Sequence, residues 1–91
     1  MKFIWNPEKR LANMKNHDGL DFADARQVFS GYTLTRPDRR FAYEEARFST
    51  IGLLGDVVVV IAHTETEDEI RIISMRKAER YEREHYFSSL G

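Results

Sequence analysis

The run Val57-Val58-Val59-Val60-Ile61-Ala62 constrains the fold more than any other stretch of the chain. Consecutive side chains of a strand point to opposite faces, so a strand of this composition is apolar on both. Such a strand lies mid-sheet with something packed against each side. It is also far too short to span a membrane as a helix. The preceding Gly55-Asp56 is hairpin chemistry. A two-residue turn there pairs Leu54 with Val57, and by continuation Phe48 with His63 and Arg47 with Thr64. Arg47, Ser49, Ile51 and Leu53 then share one face with Val58, Val60, Ala62 and Thr64. Phe48 and Thr50 share the other with Val59, Ile61 and His63.

The remaining elements follow from local signals. Phe3-Ile4-Trp5 reads as a short opening strand. Asn6 can cap a helix whose first position is Pro7, with Glu8 at the positive end of its dipole. That helix is expected to end near His17-Asp18-Gly19. Asp21 can cap a second helix, in which Phe22, Ala25, Val28 and Phe29 form one apolar stripe and after which Gly31 acts as a stop. Tyr32 to Arg36 reads as a strand and the following "RPDRR" as a loop. Strands are expected at Glu45 to Leu53 and Glu69 to Met75, with a helix from Lys77 onward. The order β-α-α-β-β-β-β-α predicts one α+β domain over 1–91. Two N-terminal helices cover one face of a small, mainly antiparallel sheet, and the C-terminal helix covers an edge or the other face.

Charge is nearly balanced, with 14 basic and 15 acidic residues and a net charge of −1. A nucleic-acid surface on such a chain must be local. One basic stretch stands out: Arg71, Arg76, Lys77, Arg80 and Arg83, with Tyr81 and Tyr86 interleaved. Acids gather elsewhere, in "TETEDE" at 64–69. The chain has no cysteine, which removes disulfides, thiol catalysis and thiolate metal sites. The three histidines are dispersed, so neither metal nor cofactor is expected. No phosphate-binding glycine loop or serine-nucleophile elbow is present. With no signal-peptide-like or membrane-spanning run, a cytoplasmic protein without membrane contact is expected.

RNA cleavage needs little more than such a basic stretch can offer. A base deprotonates the 2′-hydroxyl, cations stabilise the pentacoordinate phosphorane, and an acid protonates the leaving oxygen. Arg71 and Arg76 are the candidate phosphate-binding cations, supported by Lys77 and Arg47. His63 is the acid–base candidate, with Glu65 as a second. Tyr81 and Tyr86 are candidates for stacking on a base. The register across the acidic loop is open. One choice sets His63 beside Ile70 with Arg76 on its face; a one-residue slip sets it beside Arg71. Arg71 and Arg76 are five apart and so face opposite ways in a regular strand. A bulge, or a strand-to-helix turn at Arg76, could bring them together, and the turn is the expectation. Arg76 would then oppose the helix dipole, and its removal would leave stability unchanged or slightly raised.

"FIWNPEKRLANMKNH", "DFADARQVF", "IGLLGDVVVVIAHTE" and "RIISMRKAERYEREHY" resemble, in order and spacing, the BrnT family of bacterial toxins. The resemblance runs from about Phe3 to Tyr86. Trp5-x-Pro7-x-Lys9 and Arg71-Ile72-Ile73-Ser74-x-Arg76-Lys77-Ala78 are its most specific parts. It implies a RelE-like fold and metal-independent endoribonuclease activity that inhibits translation. It also implies a BrnA-like antitoxin partner whose ribbon-helix-helix part binds DNA, the complex repressing its own operon. RNA is then the substrate, and DNA is met only through the complex. The alternative is a non-catalytic module that keeps the fold and the antitoxin contact.

Overall fold

The computed structural model describes residues 1–39 and 45–91. Its elements are β1 (Lys2–Trp5), α1 (Pro7–Asn16), a 3-10 turn (Phe22–Asp24), α2 (Ala25–Phe29), β2 (Thr33–Pro37), β3 (Phe48–Leu54), β4 (Val57–Glu65), β5 (Glu69–Lys77) and α3 (Arg80–Ser89). The five strands form one sheet in the order β1-β5-β4-β3-β2. The expected element order holds. The sheet is mixed, because β1 runs parallel to β5 while the other three pairings are antiparallel.

β4 sits at the centre, and its alternation builds two cores. Val59 and Ile61 pack with Ile70, Ile72 and Met75 of β5 under Phe22, Ala25 and Val28. Val58 and Val60 pack on the other face with Ile51, Ala78 and Tyr86. The N-terminal helices therefore cover one face and α3 the opposite one. The helix starts are local chemistry. The Asn6 side chain accepts from the Glu8 and Lys9 N–H groups at 2.8 and 3.3 Å. Asp21 caps the 3-10 turn through the Ala23 N–H at 2.9 Å and receives Arg10 in a two-bond fork at 2.7 and 2.8 Å.

The expected β3–β4 hairpin register is observed, with Leu54 opposite Val57 and Phe48 opposite His63. The β4–β5 register differs from both alternatives. Ala62 pairs with Ser74, yet His63 pairs with Ile72. Ile73 is thus an extra residue, a β-bulge that flips the alternation of β5. Arg71, opposite Thr64, and Arg76, opposite Val60, consequently emerge on the α3 face. The expectation of a strand-to-helix turn at Arg76 is corrected. β5 runs on to Lys77, and the Ala78 N–H still reaches the Val58 carbonyl at 2.9 Å. α3 begins only at Arg80, because Glu82 reaches back to the Glu79 N–H at 2.7 Å.

A buried asparagine supports the bulged strand. Pairing of β1 with β5 ends at Trp5–Ile72, which leaves the next stretch of that edge without a strand neighbour. Asn13 of α1 fills the place: its side chain accepts from the Met75 N–H at 3.1 Å and donates to the Met75 carbonyl at 2.9 Å. Both backbone groups are satisfied as a strand would satisfy them, as buried polar groups require.

Candidate functional site

Cross-strand pairing sets one row of short side chains across the α3 face. Arg36 pairs with Ser49, Ser49 with Ala62, and Ala62 with Ser74. The adjacent row, Leu34, Ile51, Val60 and Arg76, is bulkier. Tyr86 of α3 packs onto that apolar row. The small row is left as the floor of an open cleft of about 480 Å³. The cleft is also lined by Arg36 to Arg39 at the end of β2 and just beyond it, by Tyr81 and Glu82 of the first turn of α3, and by Arg76 of β5.

Among the described residues, three arginines, Arg36, Arg39 and Arg76, therefore line one concavity. Against them stand Asp38 and Glu82, so the described lining carries a net of one positive charge on a chain whose total is −1. The Arg76 guanidinium forks onto Glu82, NH1 to Oε1 at 2.8 Å and NH2 to Oε2 at 3.0 Å. The Glu82 side chain is only 5% exposed and that of Arg76 38%. The Arg76 hydrogen bonds hold the Glu82 carboxyl below its ordinary pKa against the opposing effect of burial, with help from the Glu79 N–H and the charge of Arg36. Tyr81 stands at the rim, 67% exposed.

The expected site residues divide. Arg76 and Tyr81 line the cleft. Arg71 shares their face but lies outside it, exposed and 3.6 Å from Glu45. Arg47 precedes β3, half-buried, its carbonyl accepting the Asp38 N–H at 2.8 Å. Lys77 lies opposite Val59, on the other face, 3.8 Å from Asp18. Glu65 is exposed at the end of β4, paired with Ile70 beside the acidic loop.

Two expectations are corrected by burial. His63 is fully buried on the face opposite the cleft, its ring edge-on to Phe29 and stacked on Phe48. Its Nε2 lies 2.6 Å from the Thr50 hydroxyl, which meets Thr35 at 2.7 Å, while Nδ1 has no partner. Desolvation pushes its pKa down to about 4, so the ring is neutral at pH 7. It is a core residue on the face away from the cleft. Tyr86 is 1% exposed and donates its hydroxyl to the Tyr32 carbonyl at 2.8 Å, so its ring cannot stack on a base.

Arg36, Arg39, Ser49, Ser74 and Glu82 also line the cleft, and the sequence does not single them out. A signal for part of it existed. The correct hairpin register already placed Ser49 beside Ala62, and "RPDRR", read as a loop, carries the arginines that close the cleft.

A five-stranded sheet with helices on both faces and an arginine-lined cleft beneath its last helix defines the class: a small α+β protein. The family model of the ribonuclease toxin BrnT of type II toxin–antitoxin systems matches residues 5–82. The chain belongs to that family. No curated protein matches it.

Proposed function

We propose that this chain is a metal-independent endoribonuclease that inhibits translation and is neutralised by a BrnA-type antitoxin carrying a ribbon-helix-helix part. One observation carries the reading: three guanidiniums converge on an open cleft floored by small side chains, with an exposed tyrosine at its rim. The cations would bind the scissile phosphate and stabilise the extra negative charge of the phosphorane formed when the 2′-oxygen attacks, its proton passing to solvent water; the P–O5′ bond then breaks, leaving a 2′,3′-cyclic phosphate and a 5′-oxygen that takes a proton from water. Arginine stays protonated and contributes charge and geometry, not proton transfer. The small floor admits the sugar–phosphate, and Tyr81 offers a stacking face to an unpaired base. Among the described residues no group of three His, Asp or Glu is placed to hold a metal ion.

The test is expression in a bacterial host without an antitoxin, with growth and RNA integrity followed. Growth arrest with RNA cleavage is expected, and cleavage in vitro should persist in EDTA. Arg36→Ala and Arg39→Ala should each lower cleavage by ~100-fold, the scale of one lost transition-state donor. Unimpaired growth at verified soluble expression would favour the non-catalytic module.

A further inference from the structure

Glu82 is a costly residue where it stands. It is a carboxylate, 4% exposed, in the first turn of α3. Capping alone does not explain it. The bond it makes to the Glu79 N–H at 2.7 Å needs one acceptor oxygen, which glutamine supplies equally well at that helix position. What only a carboxylate does there is receive both terminal nitrogens of Arg76 at once. Arg76 in turn could be solvated without a partner, since over a third of its side chain is exposed.

The pairing has a geometric result. Glu82 takes one hydrogen from each terminal nitrogen of Arg76, and the Lys77 carbonyl accepts a second from NH1 at 3.3 Å. Of the five N–H donors of a guanidinium, the Nε–H and one on NH2 remain for an incoming oxygen. A long flexible side chain becomes a fixed plate on the cleft wall.

We propose that Glu82 is the positioning residue of the cleft: it gives up part of the positive charge of Arg76 to hold that guanidinium where two of its donors meet the phosphate in the transition state. The proposal rests on reading the cleft as the RNA site. Glu82 touches no substrate in this scheme and transfers no proton. Preorganised donors stabilise developing charge without reorganising, and small misplacements of such groups cost large factors in rate.

The experiment measures cleavage of a single-stranded RNA oligonucleotide by the whole chain and its variants. Glu82→Gln keeps the cap and breaks the fork. It should lower kcat by about 10- to 100-fold with KM nearly unchanged, and leave the shape of the pH–rate profile as it was. Adding it to Arg76→Ala should cause no further loss, because the residue acts only through that guanidinium. Glu84→Ala, an exposed carboxylate on the same helix that pairs with Arg80 outside the cleft, should cleave like the parent. If Glu82→Gln does not fold, Glu82→Asp keeps the charge and shortens its reach, and should show the same fall in kcat.

Parental kcat in a folded Glu82 variant, an additive loss in the double variant, or a lost limb of the pH–rate profile would overturn the proposal. In each of these cases a large loss in Arg36→Ala and Arg39→Ala would leave the cleft standing as the RNA site. Full activity in those variants and in Arg76→Ala would remove the cleft, and this proposal with it.

Discussion

Arg71 and Arg76 emerge from the same face of β5 although five residues separate them, because Ile73 is bulged out of the ladder between them. Sharing a face does not give them the same role. Arg76 is locked to a buried carboxylate inside the cleft, whereas Arg71 makes one long contact with Glu45 at the surface.

The two arginines should therefore separate in stability. Arg76→Ala leaves the Glu82 carboxylate buried with its main partner gone. A loss of about 1–3 kcal/mol is expected, at the lower part of the range for broken buried pairs because the arginine is partly solvated. Arg71→Ala should change stability by less than about 0.5 kcal/mol, as for other exposed pairs. Urea denaturation of both variants at pH 7 checks this. Equal stabilities would contradict the burial of the Arg76–Glu82 pair.

His63 predicts a pH dependence. Its pKa falls from 6.5 in the unfolded chain to about 4 in the fold. Between those values the unfolded chain binds a proton that the folded chain refuses, so stability declines as pH drops from about 6.5 to about 4 and this contribution then levels off. The depression corresponds to about 3 kcal/mol at most. Denaturation midpoints across this window should fall in the parent and much less in His63→Gln. At pH 7 the folded fraction of that variant should still cleave RNA, since the ring lies on the other face; complete loss of cleavage in a folded variant would return His63 to the site.

Gly52 marks where α2 meets the sheet. A Cβ at this position would come within 2.7 Å of Val28 Cγ1 and 3.0 Å of Thr33 Cγ2. Gly52→Ala should cost about 1–3 kcal/mol through overpacking, read as a lower melting temperature. Val28→Ala in the same chain should recover part of it by making room; failure to recover any would place the clash elsewhere.

Val59 and Val60 test the two-sided strand. They are adjacent, both buried, and belong to different cores. Aspartate at either position buries an unpaired charge and should cost several kcal/mol, a large share of the ~5–10 of a small domain. A variant at either position that melts like the parent would show that its face is uncovered.

The amino-acid sequence by itself determined the elements and their nearest pairings. Asn6-Pro7 and Asp21 start helices by local hydrogen bonds, Gly55-Asp56 sets the β3–β4 register, and an unbroken apolar run can only be a covered central strand. These signals act over a few residues or between strands joined by a tight turn. The site depended on contacts of another range. The Ile73 bulge decides which face Arg71 and Arg76 take, and the edge beside it is completed by Asn13, 62 positions from Met75. Burial decides that Tyr81 meets solvent while Tyr86 and His63 do not. No local pattern distinguishes an arginine in a turn from one lining a cleft, so Arg36 and Arg39 became cleft residues only once β2, β5 and α3 were packed together. A one-residue shift in a ladder reverses every side chain beyond it, and only tertiary packing chooses among such registers.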